Sequence, residues 1–202
     1  AVACSNDKTK SSPTIVGAKS GEGKMEMRKN EHNGDTVSLL GYGCMRLPKV
    51  DEVLGAKDNS QKRDDAEIDQ QRINEPVDYA IAHGVNLFDT APPYCKGRSE
   101  HAIGIALSRH SRDEYFVSTK LSNMAAINWS REASIKMFEN SLAELQVDYV
   151  DYLMLHCMGL PGKDLDGNTI DPMETLKRRF FDNGMLEYLL QQRDKNRIRN
   201  LG

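Results

Sequence analysis

Four side chains that can hold or move protons each stand at or just beyond the end of a predicted strand. Asp89 ends the apolar run "VNLFD", and Tyr94 follows in the next loop. Lys120 closes "EYFVSTK", and His156 closes "DYVDYLMLH". The carboxyl ends of parallel strands lie on one face of a sheet, where substrates bind in such folds. We therefore expect these four residues to converge on one site.

Together the four residue types suit a site that gives a proton to a carbonyl oxygen. A phenol has an ordinary pKa of about 10, and a neighbouring ammonium lowers it by stabilising the phenolate. In this hypothesis Tyr94 is the general acid and Lys120 activates it. A buried Asp89 holds the lysine in place, and His156 orients or polarises the carbonyl. Such a site supplies no hydride, so it needs a cofactor such as a reduced nicotinamide.

Each of these residues also has an ordinary structural interpretation. Asp89 precedes "TAPP" and could simply cap a turn. Tyr94 could be a packed loop aromatic, Lys120 a solvated residue at a strand end, and His156 a hydrogen-bonded core histidine. Only their shared location at successive strand ends favours the chemical interpretation.

The segments that carry these residues alternate between strand and helix patterns. Strands are predicted at 37–42, 86–89, 115–119, 149–155 and 198–201. Such alternation implies a parallel sheet with helices outside it, and the continuous apolar strands suit burial on both faces. Two architectures fit this alternation, an open doubly wound sheet and a closed (β/α)8 barrel. No GxGxxG follows the first strand, which weakens the open dinucleotide-binding alternative.

Helices are predicted between the strands from apolar spacing and from capping residues. The first starts at Asn74 as its N-cap, with Pro76 in its first turn. Ser130 caps a later helix, and Asp171, which a proline follows, caps another. The basic run "KRR" at 177–179 lies in an amphipathic helix, so we expect its side chains on a solvated face.

Composition excludes several classes of function. The 202 residues carry a net charge of −3, which argues against nucleic acid or an anionic membrane as the main partner. No apolar run approaches the roughly 20 residues of a membrane-spanning segment. The four cysteines form no CxxC pair and are expected as free thiols. We expect no metal site, because the loop that begins with "DLDGNTID" has Thr169 and Thr175 where a calcium-binding loop requires glycine and glutamate.

Residues 1–24 lack periodicity and are expected to form a flexible tail. "AVAC" resembles the end of a bacterial lipoprotein signal, with Cys4 as the lipidated residue. In that case the protein is exported and lipid-anchored after removal of the signal. Otherwise the stretch is an ordinary run of small residues and the protein is cytoplasmic. The sequence leaves both alternatives open.

Several segments, in order and spacing, resemble the aldo/keto reductase superfamily from about residue 25 to the end. The motifs that carry the resemblance are "VSLLGYGCMRLP", "AIAHGVNLFDTAPPYCKGRSEHAIGIAL", "YFVSTKL", "LQVDYVDYLMLH" and "RIRNLG". The "GYGCMRLP" start looks closest to bacterial members. The resemblance implies a TIM-type (β/α)8 barrel. It also implies NADPH-dependent reduction of a small-molecule carbonyl substrate, an aldehyde or a ketone, to an alcohol.

The resemblance also implies roles for individual residues. The positions that match the family's catalytic set are Asp89, Tyr94, Lys120 and His156. The "GYGCMR" stretch resembles the family's first-strand loop, which lines the nicotinamide site. The positions that this implies near the cofactor are Gly43, Cys44 and Met45.

The sequence stops at "IRNLG", where the family's fifth strand ends. We therefore expect residues 25–202 to form a barrel domain that is truncated after its fifth strand, without the loops that grip most of the cofactor. A barrel of this kind exposes the edges of its first and fifth strands, which favours self-association. The alternative function is a catalytically inactive barrel fragment that acts as a binding or interaction module.

Overall fold

An antiparallel hairpin precedes the main sheet. The computed structural model describes residues 25–50 and 66–202. In the hairpin, β1 (Met27–Lys29) pairs with β2 (Thr36–Ser38). The predicted N-terminal tail with Cys4, and the polar segment between the two ranges, lie outside the described residues.

The prediction of one strand at 37–42 is wrong, because the chain bends after Ser38. The Ser38 hydroxyl donates to the carbonyl of Leu40 (2.7 Å), and this local bond competes with strand pairing. The side chains of Leu39 and Leu40 are therefore exposed instead of lying in a sheet. The chain enters the main sheet only at β3 (Tyr42–Gly43).

Five parallel strands form the main sheet. The strands after β3 are β4 (Leu87–Asp89), β5 (Phe116–Leu121), β6 (Val150–Leu155), β7 (Gly162–Lys163), β8 (Thr169–Ile170) and β9 (Ile198–Leu201). The main sheet has the order β3-β4-β5-β6-β9, and every neighbouring pair in it is parallel. This confirms the predicted order and direction of the strands. The short strands β7 and β8 form a separate antiparallel pair in the connection that follows β6.

Helices connect the consecutive strands of the main sheet. They are α1 (Gln70–Ala82), α2 (Ser99–Leu107), α3 (Arg131–Leu145), α4 (Pro172–Leu176) and α5 (Met185–Asp194). Every one of these described helices falls short of the length and apolar content that a membrane crossing requires. Their apolar faces pack on the sheet, whose outward side chains such as Val117 and Leu153 are buried. At the contact of α2 with α3, a side chain on Gly104 would collide with the backbone carbonyl of Glu144.

The first helix starts earlier than predicted. Asp69 is its N-cap, and the Asp69 carboxylate accepts a hydrogen bond from the amide of Arg72 (3.1 Å). The predicted cap at Asn74 is therefore wrong, and Pro76 lies inside the helix. An earlier acidic cap satisfies a free amide of the first turn, so the helix extends back to it.

Two other predicted caps are confirmed. The Ser130 hydroxyl accepts from the amide of Ala133 (3.1 Å) at the start of α3. The Asp171 carboxylate accepts from the amides of Met173 (3.0 Å) and Glu174 (3.1 Å) at the start of α4. In both cases the capping side chain satisfies amides that have no partner within the helix.

The basic run at 177–179 is only partly solvated. Lys177 and Arg178 are exposed, but the side chain of Arg179 is buried, so the prediction is wrong for that residue. The cause is a wide π-type turn at Lys177–Phe181, directly after α4. A π turn adds a residue to the helical turn, which shifts the following side chains away from the face that a regular α-helix predicts.

A cluster of four charged side chains and one tyrosine lies near the amino ends of β5, β6 and β9. We call it the basal network, and its members are Asp35, Arg112, Asp151, Tyr152 and Arg199. Asp151 is fully buried and accepts from Arg112 Nη2 (2.6 Å), from Arg199 Nη1 (3.0 Å) and from the backbone amide of Val117 (2.8 Å). Both oxygens of this buried carboxylate are thus hydrogen-bonded, by cations and by the backbone.

The hairpin joins this network through Asp35. Its Oδ2 accepts from the Tyr152 hydroxyl (2.7 Å), and its Oδ1 lies 3.4 Å from Arg199 Nη2. Burial, together with the bond to this carboxylate, raises the pKa of Tyr152 to about 12. Tyr152 therefore stays protonated and keeps donating, and the network fastens the hairpin to the sheet.

Candidate active site

The centre of the candidate site is an ion pair between two neighbouring strands. Lys120 Nζ lies 2.7 Å from Asp89 Oδ2 and also donates to the carbonyl of Thr90 (2.7 Å). The Ser118 hydroxyl donates to Asp89 Oδ1 (3.0 Å), as expected from the pairing of these two residues in β4 and β5. The predicted contact between Asp89 and Lys120 is confirmed.

The burial of this pair differs from the expectation. The Asp89 side chain is 43% exposed, whereas that of Lys120 is only 14% exposed. The prediction of a buried aspartate is therefore wrong. Asp89 is the last residue of β4, so its carboxylate lies at the carboxyl end of the strand, where solvent reaches it. The lysine is less exposed because its long apolar stem can pack while only the ammonium reaches the surface.

Tyr94 reaches the ion pair from the loop after β4. The Tyr94 ring centre lies 4.8 Å from Lys120 Nζ, so the ammonium contacts the ring as a cation–π pair. The hypothesis that Lys120 activates Tyr94 requires the ammonium close to the phenol, and the hydrogen bonds of that ammonium go instead to Asp89 and to the carbonyl of Thr90, beside the ring. The residues after the tyrosine, Cys95 and Lys96, have left-handed backbone (φ 50° and 54°), which turns the loop sharply.

His156 completes the group one residue beyond β6. Its ring centre lies 6.1 Å from that of Tyr94, edge to face at 83°. Its Nδ1 lies 2.7 Å from the Ser122 hydroxyl, whose other acceptor, the carbonyl of Lys120, is 3.5 Å away. The shorter contact favours donation by the serine to Nδ1, which leaves the proton of the neutral ring on Nε2.

Burial lowers the pKa of His156, and the nearby charges of Lys120 and Arg179 lower it further, while Asp89 acts in the opposite direction. These effects favour the neutral form of the imidazole. Sequence reasoning identified His156 but missed Ser122. The available signal was its position, because Ser122 stands two residues after Lys120, just beyond the end of β5.

The three positions expected near a cofactor behave differently from one another. Gly43 is paired with Asp89, and among the described residues no atom lies within 4 Å of the place that a Cβ would occupy. Met45 is 57% exposed. Cys44 is fully buried, and burial raises the pKa of its thiol. The space beside the backbone of Gly43 is open and could accept a flat ring, whereas the Cys44 side chain packs in the core.

The loops after β3, β5 and β6 also carry exposed apolar side chains. We call them the apolar rim, and its members are Met45, Met124, Ile127, Met158 and Leu160. Large apolar side chains exposed around one face of a fold are typical of a binding surface. The rim lies at the carboxyl ends of the strands, as do Tyr94 and His156.

Comparison with known proteins gives a family match. The model of the aldo/keto reductase family matches residues 40–179, which is more than half of the chain. L-galactose dehydrogenase of Arabidopsis thaliana is 32% identical over 161 residues, which cover 77% of this chain and 46% of that protein. Glyoxal reductase of Bacillus subtilis is 36% identical over 145 residues, which cover 72% of this chain and 43% of that protein. NADH-specific methylglyoxal reductase of Escherichia coli is 31% identical over 114 residues, which cover 47% of this chain and 34% of that protein.

Solved structures agree on the fold. An aldo-keto reductase from Bacillus halodurans in its holo form aligns with a TM-score of 0.58 at 24% identity, over 88% of this chain and 50% of that one. An aldo-keto reductase from Klebsiella pneumoniae in complex with NADPH aligns with a TM-score of 0.56 at 21% identity, over 88% and 49%. The predicted fold class is confirmed: the five-stranded parallel sheet is part of a (β/α)8 barrel. The chain spans less than half the length of the curated relatives named above.

Proposed function

The chain belongs to the aldo/keto reductase family, and on that premise we propose that it reduces a small aldehyde or ketone to an alcohol with NADPH. The observation that carries the proposal is the position of Lys120. Its Nζ is held 2.7 Å from Asp89 Oδ2 and 4.8 Å from the centre of the Tyr94 ring. A fixed cation beside a phenol favours the phenolate, which is the form that a proton donor leaves behind.

In this proposal Tyr94 is the general acid. Its hydroxyl gives a proton to the carbonyl oxygen as the carbonyl carbon gains a hydride, so that the C=O double bond becomes a C–H and an O–H bond. The negative charge that remains on Tyr94 faces the Lys120 ammonium. Because Asp89 and the carbonyl of Thr90 already hold that ammonium, it need not move as the charge develops.

His156 orients the carbonyl. A neutral imidazole whose Nδ1 accepts from Ser122 presents Nε2–H as a donor. Two donors, the Tyr94 hydroxyl and this N–H, then converge on one oxygen and fix its position between them. The lowered pKa of His156 supports this role, because it keeps the ring in its neutral form near pH 7.

The cofactor assignment rests on the fit of this chain's first-strand loop. Gly43 leaves open space beside the sheet, and Met45 is exposed next to it, so these residues would border the nicotinamide. When bound, the reduced nicotinamide supplies the hydride. The NADPH complex of the Klebsiella relative supports the choice of NADPH, although the Escherichia coli relative is named as NADH-specific.

The apolar rim supports a substrate with an apolar body. Large apolar side chains such as Met124, Ile127 and Met158 gain free energy by covering apolar surface, and they offer no partners for sugar hydroxyls. We therefore propose an aldehyde or ketone with an alkyl or aryl group in preference to a polyhydroxylated sugar.

The test is consumption of NADPH and of NADH by the purified protein with a panel of alkyl, aryl and sugar aldehydes. Tyr94→Phe should lower kcat by about 10²–10⁴-fold, because it removes the proton donor, and should leave the Kd for NADPH nearly unchanged. Tyr79→Phe, on the exposed surface of α1, is the matched control and should keep full activity. Unchanged turnover in Tyr94→Phe would rule out this tyrosine as the acid, and a faster reaction with NADH would overturn the choice of NADPH.

A further inference from the structure

We propose that Arg179 is a positioning residue for the reaction, which fixes the backbone of His156 and Cys157 and thereby the place of the imidazole. The proposal rests on the function proposed above for His156. Arg179 lies outside the loops that follow the strands and comes from the wide turn after α4, so nothing in the catalytic set points to it.

The guanidinium of Arg179 binds the chain directly after β6. Its Nη2 donates to the carbonyl of His156 (2.5 Å), and its Nη1 donates to the carbonyl of Cys157 (3.1 Å). Its Nε donates to Asn123 Oδ1 (3.1 Å), in the loop after β5. A rigid planar fork that grips two consecutive carbonyls fixes their orientation, which a flexible single donor cannot do.

The gripped segment needs such support because its backbone is unusual. Cys157 has φ 53°, in the left-handed region that is unfavourable for a residue with a Cβ. The chain turns sharply here instead of continuing along β6. Residues held in this region persist where the surroundings determine them, and they concentrate at functional sites. Arg179 supplies that support from the side.

The wide turn at Lys177–Phe181 presents Arg179 to this segment and is itself held in place. The backbone carbonyl of Arg179 accepts from Asn123 Nδ2 (3.1 Å) and from Asn183 Nδ2 (3.0 Å). Asn123 also donates to Ser134 Oγ (2.9 Å), which ties the turn to α3. Asn123 therefore binds both the side chain and the backbone of Arg179, so the turn and the loop after β5 form one unit.

The charge of Arg179 is buried among neutral partners. The side chain is 2% exposed, its acceptors are two backbone carbonyls and an amide, and no carboxylate among the described residues forms an ion pair with it. Burial lowers its pKa, but arginine starts high enough to stay protonated at neutral pH. A positive charge without a neighbouring anion is screened weakly in the interior and opposes a second positive charge beside it.

That second charge would be a protonated His156. The titratable groups that face the imidazole are Lys120 from β5, Asp89 from β4, Tyr94 from the loop after β4, and Arg179. Lys120 and Arg179 both disfavour protonation of the ring, whereas Asp89 favours it. Burial is the largest cause of the lowered pKa of His156, and Lys120 comes next, although Lys120 also has an ion pair with Asp89. Arg179 adds to both effects and has no carboxylate partner among the described residues.

The experiment compares three variants of the whole protein by NMR titration of the His156 ring and by steady-state kinetics. Arg179→Met should move the His156 titration to higher pH and lower kcat about tenfold or more, because displacement of a reacting group by about 1 Å can cost up to 10²-fold. Arg179→Lys keeps the charge but loses the fork, so the titration should stay near that of the wild type while kcat falls. Arg178→Met, at the exposed neighbour that pairs with Glu174, should change neither.

The titration needs no turnover, so it separates this inference from the proposed function. A wild-type protein without reductase activity would refute the function, while a shifted titration in Arg179→Met would still support the effect of Arg179 on the His156 ring. A His156 titration and ring shifts that are unchanged in Arg179→Met would overturn the inference. Should Arg179→Met fail to fold, Arg179→Lys decides: His156 ring shifts identical to those of the wild type would contradict the positioning role, and altered shifts at an unchanged titration would support it.

Discussion

Two ion-paired aspartates lie at opposite ends of the same parallel sheet, and they differ in their burial and in the number of their charged partners. Asp151, in the basal network, is fully buried and is bound by two arginines and a backbone amide. Asp89, in the candidate active site, is 43% exposed and pairs with one lysine. Loss of a partner leaves the buried carboxylate without compensation, whereas water can solvate the exposed one.

This difference separates a buried network from an ion pair that we propose takes part in the reaction. Asp151 is bound at both oxygens, by Arg112 and Arg199, although Arg112 Nε is buried without a hydrogen-bond partner among the described residues. Bonds of this kind hold the elements that carry them in one arrangement. The pair of Asp89 and Lys120 instead keeps one side open toward Tyr94, where a reacting group can approach. The amino end of the sheet should therefore control stability, and the carboxyl end should control turnover with little effect on stability.

The largest expected effect is on turnover, at the carboxyl end. Lys120→Met removes the cation that faces the Tyr94 phenolate, so kcat/KM should fall by about 10²–10⁴-fold. The midpoint of urea unfolding should change little, because Asp89 is solvated when it loses its partner. Lys136→Met, at an exposed position of α3, is the matched control and should keep wild-type kcat/KM. A large loss of stability in Lys120→Met would remove the contrast between the two ends.

The second effect is on stability, at the amino end. Arg199→Met takes a cation from both Asp151 and Asp35, so the free energy of unfolding should fall by about 3 kcal/mol. Chemical denaturation monitored by circular dichroism measures it. Arg193→Met, at an exposed arginine of α5 that lies 3.6 Å from Asp194, should cost well under about 1 kcal/mol. Equal midpoints for the two variants would show that the basal network contributes no special stability.

A smaller loss of stability should follow from Tyr152→Phe. The variant removes one hydrogen bond to the Asp35 carboxylate and keeps the ring, so the free energy of unfolding should fall by about 1.5–3 kcal/mol. Hydrogen exchange should speed up selectively in β1 and β2, because Asp35 connects the hairpin to the sheet. Uniform protection across the hairpin and the sheet would contradict that connection.

The smallest effect is a pH dependence at the carboxyl end. The pKa of His156 is lowered in the folded protein, so the unfolded chain binds the proton more readily, at a pKa of about 6.5. The contribution of His156 to the free energy of unfolding is therefore fully present above about pH 6.5. It is lost as the pH falls toward the lowered pKa of the folded state. His156→Asn should weaken the dependence of the unfolding midpoint on pH in that range. A midpoint that rises on acidification, and loses that rise in His156→Asn, would mean that folding raises the pKa of His156 instead of lowering it.

The two ends also differ in what the sequence could predict. The strand-end positions of Asp89, Lys120 and His156 follow from strand patterns, since parallel topology brings strand ends together without any detail of packing. The basal network could not be predicted, because Asp35 and Tyr152 meet only after the hairpin folds onto the sheet. A carboxylate such as Asp151 inside an apolar run gives no sign of the arginines that compensate it.

Local departures from regular geometry explain the other misses. Arg179 was expected in solvent because α-helical spacing places it there, and the wide turn that moves it inward has no pattern in the sequence. The bend after Ser38 depends on one side-chain bond to the backbone, which competes with a strand of favourable composition. The direction of the Lys120 ammonium depends on the carbonyl of Thr90, a partner that residue types do not reveal.

One paired measurement tests the central claim that the two ends of the sheet have separate roles. Asp89→Asn and Asp151→Asn make the same chemical change at opposite ends, and both kcat/KM and the unfolding midpoint are measured for each. Asp89→Asn should lower kcat/KM by about tenfold or more at a nearly unchanged midpoint. Asp151→Asn should lower the midpoint strongly while its folded fraction keeps nearly wild-type kcat/KM. The account would be contradicted by an Asp89→Asn variant that is fully active, or by an Asp151→Asn variant that is as stable as the wild type.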